Sequence, residues 1–293
     1  MIEPARDAVA ARAPEGVEVV ALTEHLDLET VDFLVPSSQP RDLLERLPGL
    51  SRLAVVQVLS AGTDWIEGYV PARATLCSAR GARDGPVAEW VVGALLGVTT
   101  QLLECARLEA WTDRSLTDLA SWRVLIVGMG SIGARVAQYL NGLGTEVIGV
   151  ASRARGGLHG IDELAALLPG VDAVVVLAPL TEATRGLIGA RELAAMRDGA
   201  VLINAARGPV VDSDALLAEV STSRLRAVLD VTDPEPLPDG HPLWSAPGVL
   251  SITPHIAGDS ALGNARAAAL AGDQLARWSA GEELLNVVRS GSG

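Results

Sequence analysis

The stretch from Val124 to Leu140 constrains this chain more than any other. Four apolar residues, Val124-Leu125-Ile126-Val127, run straight into Gly128-Met129-Gly130-Ser131-Ile132-Gly133, and the helix-forming Ala134-Arg135-Val136-Ala137-Gln138-Tyr139-Leu140 follows. A short continuous apolar run reads as a buried strand, and glycines at this spacing ahead of helical sequence read as a turn that delivers the chain into a helix. The three glycines serve different ends. Gly128 permits the tight turn, Gly130 lets backbone approach a pyrophosphate, and Gly133 lets helix and strand pack closely. The phosphates would sit at the positive helix end. Gly128, Gly130, Ser131, Ile132 and Gly133 are therefore candidate dinucleotide-binding residues. The plainer alternative is a glycine turn in an α/β fold that binds nothing.

The same rhythm extends both ways from this unit. Downstream, Arg123–Val127, Glu146–Ala151, Asp172–Leu177, Ala200–Asn204, Leu225–Asp230 and Val249–Ile252 alternate with helical stretches such as Ile161–Leu168 and Ser213–Val220, which predicts a doubly wound parallel sheet. Upstream, the short apolar runs Val17–Leu22, Val31–Val35 and Leu53–Leu59, with helical Arg41–Leu47 between them, predict a second, smaller α/β domain. Little precedes Val17 except the amphipathic Asp7–Ala13, so a first strand is short or missing. The Pro-free apolar segment from Val87 to about Leu108 reads as a helix leading between domains, and the Ala-rich Ser260–Gly281 as a helix returning to the first. The expected division is residues 1–92 with 262–293 against residues 93–261.

Bulk properties narrow the classes of function. With 293 residues, 49% of them hydrophobic, the chain buries a core without staples. Two cysteines, Cys77 and Cys105, make neither a disulfide framework nor a metal cluster, which fits a reducing, cytoplasmic compartment, and no metal is expected. The start lacks the basic, apolar pattern of a secretion signal, and no apolar run is long enough to span a membrane. A net charge of −13 argues against nucleic-acid and anionic-membrane surfaces, so an anionic ligand must meet local arginines.

At the end of the second strand of the cofactor sheet, an Asp or Glu would accept hydrogen bonds from an adenosine ribose. Here the sequence reads Val150-Ala151-Ser152-Arg153-Ala154-Arg155; Glu146 is too early and Asp162 too late. With no carboxylate to repel a 2′-phosphate, Ser152 able to donate and Arg153 able to pair as a bidentate fork, NADP(H) is preferred and NAD(H) remains possible. The alternative is that Arg153 and Arg155 are solvated surface charges.

Reduction of a carbonyl by hydride also needs a proton donor, and histidine is suited to that role near neutral pH. His255, in Thr253-Pro254-His255-Ile256-Ala257-Gly258, follows the last apolar strand at the carboxyl edge of the sheet, and is expected as a buried donor beside the cofactor. Glu235, after the preceding strand, is placed to hydrogen-bond the other ring nitrogen and stabilise the imidazolium. Arg207, after Ala200–Asn204, is placed to pair with a substrate carboxylate. Singly, each has a duller reading as a strand-end or loop residue. His25, His159 and His241 read as exposed.

These residues carry a family resemblance. The chain resembles the D-isomer-specific 2-hydroxyacid dehydrogenases through the glycine motif, Ala178-Pro179-Leu180-Thr181, Ile203-Asn204-Ala205-Ala206-Arg207-Gly208, Leu229-Asp230-Val231 through Glu235-Pro236, and Thr253–Gly258. The resemblance implies that His255 is the acid/base, Glu235 its partner and Arg207 the carboxylate anchor. It places Asp230 near the nicotinamide, with Ala178, Pro179, Ala205 and Gly258 along the cofactor cleft. It also implies that Ser60-Ala61-Gly62 offers backbone amides to the substrate carboxylate, that the smaller domain is flavodoxin-like, and that the chain forms a homodimer. Ser152-Arg153 resembles the NADPH-using glyoxylate reductases of the family. Formate dehydrogenases carry glutamine where Glu235 stands, and a phosphoglycerate dehydrogenase with a regulatory domain would need a longer chain.

The leading function is hydride transfer between NADP(H) and a small 2-keto or 2-hydroxy acid such as glyoxylate, hydroxypyruvate or pyruvate. A nicotinamide-sensing, corepressor-like binding protein of the same fold is the rival class. Bulkier keto acids or phosphite are further substrate alternatives, with Trp65 and Trp244 as pocket candidates or ordinary packing residues.

Overall fold

The structure is a computed structural model in which residues 3–21, 27–36 and 41–291 are described. In chain order the strands are β1 (Phe33–Leu34), β2 (Val55–Gln57), β3 (Thr75–Cys77), β4 (Arg123–Val127), β5 (Glu146–Ala151), β6 (His159–Gly160), β7 (Ala173–Val176), β8 (Val201–Asn204), β9 (Arg226–Leu229), β10 (Val249–Ile252) and β11 (Val287–Arg289). The α-helices are α1 (Glu3–Ala10), α2 (Arg41–Arg46), α3 (Asp84–Thr99), α4 (Leu102–Cys105), α5 (Ser131–Gly142), α6 (Leu164–Leu167), α7 (Ala190–Ala195), α8 (Ser213–Ser221) and α9 (Ala261–Ser279). The chain separates into two compact units, Met1–Arg83 with Asp259–Gly293 and Asp84–Gly258. The first crossing falls ahead of α3 rather than within it.

The larger unit is a Rossmann-type fold. Its sheet is wholly parallel, in the order β10-β9-β8-β7-β4-β5-β6. Chain order reverses between β4 and β7, and such a switch point opens a crevice at the carboxyl ends of the strands. Successive residues of these strands feed two cores. Leu125, Val127, Val174, Val176, Leu202 and Leu229 face one, whereas Val124, Ile126, Val175, Ile203 and Val228 face the other. Burial on both faces is why the sequence shows continuous apolar runs here rather than alternation.

Arg123–Val127, Glu146–Ala151 and Val249–Ile252 form as expected, and the other expected strands of this series lose a residue or two at their ends. β6 is an additional edge strand, too short to leave a periodic signal. The segment expected as a helix from Ile161 to Leu168 breaks into α6 flanked by 3-10 turns, the second of which contains Pro169. The long helix expected to reach Leu108 ends at Thr99, because Gln101 adopts a left-handed conformation (φ 57°) and the chain restarts as α4.

The smaller unit has the sheet order β1-β2-β3-β11, parallel except for β11 against β3. β3 and β11 were not legible in the sequence. The strand expected at Val17–Leu22 does not form within the described residues: 17–21 have no ladder partner there, and Leu22 lies outside them. The apolar signal at Val17 and Val19 instead records packing against Val9, Val35 and Leu275. Ser260 caps α9 by accepting from Gly263 N at 3.0 Å. Farther along this helix, buried Gln274 donates to Gln57 Oε1 at 3.1 Å and to Leu285 O at 2.8 Å, and accepts from Leu285 N at 2.8 Å. These bonds tie α9 to β2 and to the segment that enters β11.

No helix among the described residues is long and apolar enough to cross a membrane, and no group of His, Cys, Asp and Glu among them is arranged to hold a metal ion.

Candidate active site

The glycine turn after β4 is built as its spacing predicts. Gly128 has φ +112°, and a Cβ there would lie 2.5 Å from Ala178 N and from Leu177 C, so only glycine fits. Gly133 is buried on α5, and a Cβ there would strike Gly128 O, which is the close helix–strand approach. Gly130 meets nothing within 4 Å, so space is open at the position where backbone would approach a phosphate. Asp212 and Ser260 cap α8 and α9 with side-chain oxygens, whereas Gly130 gives α5 no side-chain cap. The first N–H groups of α5, with Ser131 exposed and Ile132 half-buried in its first turn, are left for an outside acceptor. A dinucleotide pyrophosphate fits this open, uncapped helix end. Ala178 is buried against the turn, Pro179 is exposed just beyond β7, and Ala205 is half-buried after β8.

Beyond β5, Ser152, Arg153 and Arg155 are all exposed. Arg155 and Leu158 exchange backbone hydrogen bonds of 3.1 and 2.8 Å across Gly156 (φ 53°) and Gly157 (φ 83°), a two-residue hairpin with positive φ at both central positions. This turn fixes the loop that carries Arg153, which makes no side-chain hydrogen bond or ion pair with any described residue. Such a guanidinium has its whole fork free for a phosphate.

At the other side of the sheet, His255 Nδ1 and Glu235 Oε1 are 2.6 Å apart. With Glu235 ionised, the proton between them sits on Nδ1, and Nε2 is the nitrogen left to exchange a proton with a ligand. The two side chains are 43% and 40% exposed, so the pair is not the buried donor the sequence led one to expect. Its position is nonetheless fixed from below. Asp230, 3% exposed at the end of β9, accepts from Thr253 Oγ1 at 2.5 Å, Ile256 N at 2.9 Å and Ala257 N at 3.0 Å, while its backbone oxygen accepts from His255 N at 2.8 Å. Both Asp230 carboxylate oxygens are thus engaged in shaping the histidine loop, including Thr253, which sequence reasoning passed over. Peptide bonds Asp233–Pro234 and Glu235–Pro236 are cis.

Arg207 is half-buried at the neighbouring strand end, and its Nη1 donates to Ala206 O at 2.7 Å. Buried Asn204 shapes this loop by donating to Arg207 O at 3.1 Å and accepting from Ala206 N at 3.1 Å. A Cβ at Gly208 would overlap the Thr232 carbonyl, so the arginine loop rests directly on the loop that leads to Glu235. Adjacency of β8, β9 and β10 therefore gathers Arg207, Glu235 and His255 at one sheet edge, with Gly258 half-buried just past them.

The profile of the family described as "D-isomer specific 2-hydroxyacid dehydrogenase, NAD binding domain" matches residues 94–257. The chain belongs to that family. A glyoxylate/hydroxypyruvate reductase B of Klebsiella pneumoniae subsp. pneumoniae is 34% identical over 240 residues, which are 76% of this chain and 74% of that protein. Among solved structures, a D-isomer specific 2-hydroxyacid dehydrogenase from Xanthobacter autotrophicus Py2 in complex with NADPH and MES is 31% identical, with a TM-score of 0.85 over 98% of this chain and 95% of that one. An NADPH-dependent glyoxylate/hydroxypyruvate reductase from Sinorhizobium meliloti, in complex with NADP and sulfate, is 30% identical with a TM-score of 0.83 over 98% and 95%. This family member is an oxidoreductase with a nicotinamide dinucleotide-binding domain.

Ser60, Ala61 and Gly62 belong to the smaller unit, after β2. Ser60 Oγ donates to Gly62 O at 2.7 Å and accepts from Trp65 Nε1 at 3.2 Å, so the loop is internally braced and Trp65 has a packing and bonding role. Trp244 is 53% exposed and donates to Pro238 O at 3.0 Å. The remaining histidines are not simply exposed. His159 is half-buried and 2.8 Å from Glu163, His241 accepts from Leu243 N at 3.3 Å at a turn, and His25 lies outside the described residues.

Proposed function

We propose that this chain reduces a small 2-keto acid, such as glyoxylate or hydroxypyruvate, to the D-2-hydroxy acid, with NADPH preferred over NADH. The His255–Glu235 contact carries the reading, because a carboxylate-oriented imidazole at the carboxyl edge of a dinucleotide sheet has a proton to give there. Bound nicotinamide supplies the hydride. Arg207 pairs with the substrate carboxylate, and Nε2 of His255 protonates the ketone oxygen as charge develops on it. Glu235 holds the ring in the required tautomer and orientation. Backbone amides of Ser60–Gly62 receive the carboxylate from the smaller unit.

Preference for NADPH rests on the exposed Arg153 beside Ser152, with no carboxylate at the end of β5 to oppose a 2′-phosphate. The NADPH and NADP complexes of the Xanthobacter and Sinorhizobium proteins agree with it. A homodimer is also part of the proposal. Residues 106–118 are exposed throughout, and Trp111 is 96% exposed, an arm suited to burial against a second copy.

A panel of 2-keto acids with both cofactors tests the reading. Faster NADPH oxidation with glyoxylate or hydroxypyruvate is expected. His255→Gln should retain NADPH binding and lose most turnover, and Arg153→Ala should weaken NADPH while sparing NADH. Firm NADPH binding without turnover on any acid would favour a nicotinamide sensor instead.

A further inference from the structure

In the smaller unit the loops that follow β2 and β3 stand side by side. Ala79 N donates to Ser60 O at 2.8 Å, and Ala82 N closes a turn onto Ala79 O at 3.1 Å over Gly81, whose φ is +96°. Ala79 and Ala82 pack against Ala267 of α9, with Leu59 beside them. The turn is therefore held on both sides, and Arg83 is the first residue beyond it.

Arg83 is half-buried, and it differs from other arginines in how its donors are used. Arg107 donates to Val249 O and Leu250 O, Arg224 to Glu219, Leu193 O and Met196 O, and Arg226 to Gly199 O. Arg83 makes no hydrogen bond or ion pair with a described residue, and its Nε is fully buried without a partner. Burial pushes its guanidinium below the ordinary arginine range, and the charge of Asp259 offsets this only in part. A buried N–H with no acceptor is unfavourable, so an acid whose oxygen reaches Nε would satisfy the one Arg83 donor that water does not.

We propose that Arg83 is a specificity residue that pairs with a second anionic group, carboxylate or phosphate, on the 2-keto or 2-hydroxy acid. The proposal rests on Ser60–Gly62 receiving the reacting carboxylate, since the hydrogen bond between Ala79 and Ser60 sets Arg83 beside that loop. A bidentate guanidinium on the distal group makes the doubly charged acid the better ligand. Singly charged acids have no second group for Arg83 to hold.

The experiment compares the wild-type chain, Arg83→Met and Arg83→Lys. Calorimetric titration of the NADPH-loaded chain uses D-malate, with two carboxylates, and D-lactate, with one. Turnover is read on oxaloacetate, 3-phosphohydroxypyruvate and glyoxylate. The expected result is at least tenfold tighter binding of malate than lactate by the wild type, lost in Arg83→Met and partly restored in Arg83→Lys. In turnover, KM for the doubly charged acids rises at least tenfold in Arg83→Met, and KM for glyoxylate changes less than threefold. A larger effect on oxaloacetate identifies a carboxylate as the preferred distal group, and on phosphohydroxypyruvate a phosphate. Equal binding of malate and lactate by the wild type, or the same loss for both acids in Arg83→Met, overturns the proposal. Absence of turnover on every acid refutes the reductase reading, while the calorimetric contrast still decides the role of Arg83.

Discussion

Removing the Asp230 carboxylate should disable the chain while leaving Arg207, Glu235 and His255 themselves unchanged. His255 sits at φ +55°, a left-handed conformation that costs a non-glycine residue about 1–2 kcal/mol. Opposing that strain, the Asp230 carboxylate accepts from Thr253 Oγ1, Ile256 N and Ala257 N at 2.5, 2.9 and 3.0 Å. Hydrogen bonds to a charged group are worth about 1.5–3 kcal/mol each, so their sum exceeds the strain severalfold. In Asp230→Ala the bonds vanish, and the two backbone donors each lose about 1–3 kcal/mol if the loop keeps its shape. The loop should therefore relax and carry His255 away from Glu235. A loss of about 2–4 kcal/mol of organisation corresponds to a fall in kcat of roughly 30-fold to 1000-fold. Steady-state kinetics on the best 2-keto acid, with NADPH affinity measured in parallel, provide the assay. The cofactor Kd should rise far less than kcat falls, because the Gly128–Gly133 turn is built independently of Asp230. A variant with kcat within twofold of wild type would refute the reasoning.

Three other outcomes are expected. Gly133→Ala gains about 1 kcal/mol of helix propensity but forces a Cβ onto Gly128 O, where no side chain is present to yield; overpacking of about 1–3 kcal/mol should win, giving a lower melting temperature and weaker NADPH binding. Burial pushes the Cys77 thiol up to about 11 from about 9, against a weaker opposing hydrogen bond with Gln274, while Cys105 is exposed. Iodoacetamide at mildly alkaline pH should thus modify Cys105 alone until the chain unfolds. Because the folded value is the higher one, the contribution of Cys77 to stability is complete below about pH 9 and declines as pH rises through about 11, as melting curves of wild type and Cys77→Ala would report. Trp111→Glu should convert a dimer into a monomer by light scattering, and an unchanged mass would remove the arm from the interface.

Much of the larger unit was written locally. A glycine that must adopt φ +112° and another that must lie against a carbonyl leave a mark at fixed spacing, and strands buried on both faces leave uninterrupted apolar runs. The smaller unit was harder to read because its strands are two or three residues long, so β3 and β11 carry too few residues for a period to emerge. At Val17–Ala21 the apolar alternation was real but recorded side-chain burial, which does not require a ladder partner.

The sequence by itself determined that a dinucleotide sheet forms and that a histidine, a glutamate and an arginine follow its later strands, because these depend on residues close together in the chain. Only the tertiary structure decided that Asp230 spends both carboxylate oxygens on the histidine loop, that Asn204 braces Arg207, and that Gly208 lies against Thr232. It also decided that the His255–Glu235 pair is open to solvent and that Arg83 Nε is buried without a partner among the described residues. Those facts depend on which strands become neighbours and how far each side chain is covered. Long-range packing sets both, and no local pattern of residue types encodes them.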